Sequence, residues 1–278
     1  MRPFLLWLFS ALVAGFVGLQ AVRFLITSGP VRRRNYRGLE LPATAGVGVI
    51  VGLLAGLALS AVLHMLFGAS RMLAEASGAA LLFATGAGVF GFIGLWDDLA
   101  GTAGERGWRA HTRAALRGHA TAGAIKLFAG AAAALIVASV LEHRFWWAVV
   151  DALIIALSAN AVNLLDKRPG RATKAFLLTA LGLLIVGGQT APGLSAAIGA
   201  VAVALPFDLR ERAMLGDAGA NALGAVIGVA TVLDSTHTFR LVALGLLVVV
   251  TIGGTRPGLS RVIDSVAPLR RLDAAGRV

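Results

Sequence analysis

Long apolar blocks separated by short polar stretches make up most of the chain. Blocks of about 17 to 25 residues are long enough to cross a hydrocarbon core. Nine stand out, near residues 4–26, 43–67, 76–96, 122–141, 145–165, 172–188, 191–207, 218–234 and 237–255. Each block is continuous rather than alternating, so it must satisfy its backbone hydrogen bonds internally, as a helix does and a barrel strand does not. The pattern predicts an all-α polytopic integral membrane bundle of about nine transmembrane helices, with 1–278 as a single domain. The first block is expected to be retained as a span, because its apolar part is long and no convincing cleavage site follows it.

Composition supports this reading. The chain is 58% hydrophobic and 14% charged, with a mean hydropathy of +0.83, against roughly 25% charged residues in soluble domains. Its 35 glycines suit helices that approach closely in lipid. With no cysteine, disulfide and thiolate chemistry are excluded. A net charge of +11 raises nucleic acid as a partner, but the distribution of the charge argues for a membrane instead. Nineteen of the 25 Lys and Arg follow the odd-numbered spans, four lie on the opposite side, and Arg23 and Lys126 fall inside spans. The positive-inside rule then predicts an outside N-terminus and a cytoplasmic C-terminus, with no nucleic-acid partner.

The unusual polar residues keep to the same parity. They occur at Asp97 and Asp98 after span three, in NAVNLLDKRPGR (160–171) after span five, and in RERAMLGDAGAN (210–221) between spans seven and eight. All three clusters are therefore expected on one membrane face, whereas a transporter more typically places such groups at the midplane. Two acids at a helix C-terminus oppose the macrodipole, which favours cations there. Either they pair with loop arginines or they serve a divalent cation or a proton to be abstracted. Asn160, Asn163 and Asp166 form a polar stripe that suits helix–helix hydrogen bonding or oxygen ligation. Arg168 and Arg171 suit topology or phosphate clamping. Asp217, between Gly216 and Gly219, suits an N-cap or a site for close ligand approach. Asp151 is expected to be interfacial or paired. Arg106, Arg109, Arg113 and Arg117, with His111 among them and His119 just beyond, form a basic stripe suited to an anionic membrane surface.

GLWDDLAG, NAVNLLDK and MLGDAGAN, in that order, resemble the Asp-Asp, Asn-x-x-Asn-x-x-Asp-Gly and Met-Gly-Asp-x-Gly-Ser motifs of the polyprenyl-phosphate N-acetylhexosamine-1-phosphate transferases. The chain departs from that pattern at Lys167, at Ala220 and in a final loop without histidine. The resemblance implies transfer of HexNAc-1-phosphate from a UDP-N-acetylhexosamine to a polyprenyl phosphate, with release of UMP, in cell-envelope glycan synthesis such as that of peptidoglycan. The implied setting is the cytoplasmic face of a bacterial plasma membrane. It also implies Asp97, Asp98 and Asp217 as catalytic residues, and Asn160, Asp166, Lys126, Arg168 and Arg171 as substrate-binding residues. Asp217 and Asn163 would hold Mg²⁺, with Mn²⁺ as a substitute, and a homodimer is a further implied partner arrangement. Two alternatives stay open: a catalytically lapsed homologue that binds the lipid or scaffolds envelope enzymes, and a transporter.

Overall fold

The computed structural model describes residues 3–29, 31–67, 71–100, 122–186, 188, 190–254 and 258–277. Helix α1 (Pro3–Ser28) leads into a two-stranded antiparallel hairpin, β1 (Arg32–Arg34) and β2 (Glu40–Pro42), in the register Arg33 opposite Leu41. Next come α2 (Ala45–Phe67), α3 (Arg71–Ala100), α4 (Ala122–Leu141), α5 (Phe145–Leu165), α6 (Arg171–Val186) and α7 (Ala191–Leu209). Helices α8 (Gly216–Leu233) and α9 (His237–Gly254) follow, and two short helices, α10 (Gly258–Ser265) and α11 (Ala267–Ala274), form the tail. The basic stripe at 106–117, with His111 and His119, lies outside the described residues.

Each of the nine apolar blocks is carried by one helix, which makes the all-α polytopic architecture a property of the fold. Seven of these helices are long and apolar enough to cross a membrane. Of the other two, α6 is the shorter, with 16 residues. Sixteen residues extend about 24 Å, less than a hydrocarbon core of about 30 Å.

Helix α8 is the axis of the bundle. Its sequence GDAGANALGAVIGVATVL is nearly all small or β-branched, and every residue from Ala218 to Val232 is buried. Small side chains let α3, α5 and α2 pack against it at backbone distance, the usual route to tight association where lipid removes the hydrophobic drive between helices. Two contacts matter for the site. A Cβ added at Gly46 would lie 2.4 Å from the Gly219 Cα, and one at Gly94 would lie 2.2 Å from the Asp217 carbonyl oxygen. The first turn of α8 is thus wedged between α2 and the last turns of α3, which is why carboxylates 119 or more residues apart in sequence meet there. By contrast, α9 fully buries only Gly254, packs on α5 and leaves much of its surface exposed.

Several polar groups inside the spans are paired. Ser10 and Ser60 hydroxyls hydrogen-bond between α1 and α2 at 2.8 Å. Toward the end of the bundle away from the site, the fully buried Asp151 takes two bonds from Arg240 Nη1, at 3.0 and 3.3 Å. Of its two expected settings, Asp151 therefore has the paired one.

Candidate active site

The ends of α3, α5 and α7, the start of α8 and the hairpin converge around one cavity of about 330 Å³, and α4 reaches its edge through Lys126. Its lining collects five acids, Asp98, Asp166, Asp208, Glu211 and Asp217, against four cations, Arg33, Arg34, Lys167 and Arg168. The three motifs read from the sequence are brought together here.

The two adjacent acids have separate partners, as residues about 100° apart on a helix must. Asp98 is buried, and its Oδ1 and Oδ2 accept from the backbone amides of Asp217 (3.3 Å) and Ala218 (3.0 Å). The opening amides of a helix have no intrahelical partner and carry the positive end of the dipole. A carboxylate from α3 therefore caps α8. Of the two roles open to Asp217, the cap is supplied by Asp98, and Asp217 lines the cavity from the first turn. Arg33 fastens the same corner: its Nη2 donates to the Asp97 carbonyl at 2.6 Å, and its Nη1 lies 3.5 Å from Asp98 Oδ1.

Asp97 points elsewhere. Lys126 Nζ donates to Asp97 Oδ2 at 3.1 Å and to Asp217 Oδ2 at 3.3 Å, so one ammonium bridges the first and third motifs. Lys126 belongs to the site, although within an apolar block it has no sequence neighbour that would mark it. Asp217 also holds its own turn, because Asn221 Nδ2 donates to its carbonyl at 2.7 Å.

The second motif ends α5 in a tight loop. Asp166 is the C-cap residue and lines the cavity. Burial first, then the negative charges of Asp208, Asp217 and Asp98, push its carboxyl well above the ordinary range. Asn163 and Asn160 lie one and two turns earlier on α5, outside the cavity lining. The side chain of Asn160 bonds Thr251 of α9 at 3.3 Å, the helix–helix role open to it from the sequence. Gly170 adopts φ +72°, and its amide, with the Thr173 hydroxyl, donates to Asp208 Oδ2 at 3.0 and 3.2 Å. Asp208 thus clamps the loop from below.

The tail clamps it from above. Arg168 makes a two-pronged pair with Asp264, both bonds at 3.0 Å. The buried Arg171 makes another with Asp273, at 2.8 and 2.9 Å, and donates to Ser260. Arg277 reaches Asp273 and the Pro169 carbonyl, and Lys174 caps the final carbonyls of α11. Burial would raise the Asp273 pKa, but the bonds from Arg171 and Arg277 outweigh it and pull the carboxyl down to about 2. Of the two arginines, Arg168 lines the cavity, whereas Arg171 is engaged behind it by the tail. Lys167, at the position of the family's glycine, donates to the Gly254 carbonyl at the end of α9.

The sequence motifs did not single out Asp208, Asp264 or Asp273, nor Glu211 as an anchor. Glu211, at φ +51°, holds the hairpin through Asn35 (2.9 Å) and Arg37 (3.4 Å). Asp208, an acid closing an apolar block on the polar face, carried a usable signal. The tail acids carried none.

As a fit test for a divalent cation, the Lys126 ammonium already stands between two carboxylate oxygens from different helices, and hard oxygen donors surround the cavity. Among the described residues no three His, Cys, Asp or Glu side chains stand close enough together to hold a metal ion by themselves. The donor set is thus compatible with an oxygen-ligated ion that also binds substrate oxygens, and not with a closed cage made by the protein alone.

A profile of glycosyl transferase family 4 matches residues 79–235, more than half of the chain, and the protein belongs to that family. The class is a membrane-embedded transferase. The chain is also 29% identical over 174 residues to the phospho-N-acetylmuramoyl-pentapeptide-transferase of Thermotoga neapolitana. That similarity takes in 60% of this chain, which spans 58% of the relative's length. Residues 79–235, matched by the family profile, contain all three motifs and Lys126.

Proposed function

We propose that the protein transfers N-acetylhexosamine-1-phosphate from a UDP-N-acetylhexosamine to a polyprenyl phosphate at the cytoplasmic membrane face, releasing UMP. The observation that carries this reading is the Lys126 bridge between Asp97 and Asp217 at the rim of a cavity rich in both arginine and carboxylate. Such a site suits a reaction between two anionic phosphates next to lipid. The lipid phosphate, with a second pKa of about 6, is mostly dianionic at neutral pH. Its oxygen attacks the β-phosphorus, a new P–O bond forms, and the bond to UMP breaks with its electron pair on the departing phosphate. No proton need be removed first, so the main demand is electrostatic.

Arg33, Arg34, Lys167 and Arg168 would bind and orient the diphosphate. Lys126 would neutralise the incoming phosphate while fixing the relative positions of Asp97 and Asp217. Asp217 at the cavity wall, with Asn163 one turn before Asp166 on α5, would hold Mg²⁺, and Asp166 would contact the nucleotide-sugar. When bound, the ion supplies charge neutralisation of the diphosphate.

The test uses purified protein with undecaprenyl phosphate, Mg²⁺ and a panel of UDP-HexNAc donors, reading UMP release, beside Asp217→Asn. Release with at least one donor, lost in the variant, is the expected result. Turnover that survives Asp217→Asn overturns the site assignment. A second reading is favoured by the tail acids already paired with Arg168 and Arg171 and by the absence of histidine from residues 254–278. On that reading the protein binds polyprenyl phosphate or scaffolds envelope enzymes without turnover. Lipid binding with no UMP release from any donor would establish it. The transporter alternative falls with the family assignment.

A further inference from the structure

The tail has an inner and an outer aspect of different chemistry. Its only two acids, Asp264 and Asp273, are both paired with the loop after α5. Arg277 also turns inward, toward Asp273 and Pro169. On the outside Val262, Val266, Leu269 and Leu272 remain 41–52% exposed, and Arg261, Arg270 and Arg271 stand exposed among them. Cations mixed with aliphatic side chains, with both acids engaged by arginines, form a surface complementary to anionic headgroups over acyl chains. Position agrees: α10 begins four residues after Gly254, the end of an apolar helix long enough to span. The neighbouring hairpin is basic as well, with Arg32, Arg34 and Arg37 exposed.

We propose that the outer face of α10 and α11 docks on the anionic bilayer surface beside the protein, with Val262, Val266, Leu269 and Leu272 at the acyl boundary and Arg261, Arg270 and Arg271 at the phosphates. One tail then connects the lipid surface to the loop that carries Asp166. The inference stands independently of any turnover.

Because the chain contains no cysteine, Leu272→Cys in the full-length protein gives a single attachment point for an environment-sensitive fluorophore, and Val262→Cys gives a second. Each labelled protein is placed in nanodiscs of phosphatidylcholine alone or with phosphatidylglycerol at about 30%, a chosen test composition that makes the surface anionic. Quenching is read with a nitroxide on the lipid chain near the headgroup and with a neutral water-soluble nitroxide. The expected result is strong quenching from the lipid and weak quenching from water in the anionic discs, reversed when Arg261, Arg270 and Arg271 are changed to Gln. Each arginine contributes a factor of about five to surface partitioning, so the triple change lowers it by about two orders of magnitude. Equal quenching in neutral and anionic discs overturns the proposal. So does protection from both quenchers, which would mean that protein covers the face. The comparison of lipids in a single-cysteine protein needs no further substitution and does not depend on folding of the triple variant.

Discussion

The Asp98 cap is the most specific mechanical claim about the site, and Asp98→Ala tests it. The substitution strips the amides of Asp217 and Ala218 of their shared acceptor in a buried corner. Losing an N-cap costs about 1 kcal/mol, and up to about 2 in favourable settings. A buried amide left without a partner costs about 1–3 kcal/mol, and loss of the carboxylate from the helix start removes a further 0.3–1 kcal/mol, roughly. These contributions overlap, so the expected destabilisation is about 3 kcal/mol. Asp98→Asn keeps one acceptor oxygen and should lose about half of that. At roughly 2–4 °C per kcal/mol for chains of about this size, Asp98→Ala should unfold about 6–12 °C early in detergent. Asp97→Ala, which removes no amide acceptor, should move the transition much less. UMP release would fall in Asp98→Ala because Asp217 loses its fixed position. Unchanged unfolding with abolished activity in both Asp98 variants would refute the cap and assign Asp98 a direct chemical role.

Three other perturbations address separate parts of the site. Gly94→Ala places a methyl 2.2 Å from the Asp217 carbonyl and should cost about 1–3 kcal/mol or more through forced separation of α3 and α8. Gly78→Ala on the same helix meets nothing within 4 Å and should be neutral or slightly stabilising by the same unfolding assay. Lys126→Met leaves the carboxylates of Asp97 and Asp217 without their shared cation. It should increase the thermal stabilisation conferred by Mg²⁺ while lowering UMP release by about two orders of magnitude or more; an unchanged Mg²⁺ response would count against a shared ion position. The tail clasp should depend on acid. Asp273 is held at about 2 in the folded protein, below the unfolded value of about 3.9, so the unfolded form binds more protons between these values. The stabilisation, on the order of 2 kcal/mol, is therefore complete above about pH 4 and lost as pH falls toward 2. Proteolysis of the tail should rise over that window in the native protein and show no such window in Asp273→Asn.

Continuous apolar blocks made the helices legible, because a membrane leaves the backbone little alternative, and parity placed the three polar clusters on one face before any contact was known. The division of roles within the face was not legible. Nothing in the adjacent letters of Asp97 and Asp98 says that one reaches Lys126 and the other the amides of α8, since that depends on how close Gly94 lets α3 come. Arg168 and Arg171 have the sequence of a phosphate clamp, but their immediate partners are acids about 90 to 100 residues later, which no local pattern encodes. Asp208 was within reach of the same parity argument that found the others.

The close contacts at Gly46, Gly94 and Gly219 imply a particular tolerance map for saturation mutagenesis. At those three positions selection should sort substitutions by size, with alanine already failing and polarity irrelevant. Around the cavity wall, at Arg33, Arg34 and Arg168, it should sort them by charge, with lysine outperforming smaller neutral residues. A chain of this kind could therefore diverge widely in its rim, and with it in the soluble molecule it accepts, while the floor beneath Asp217 stays fixed to the volume of a hydrogen atom.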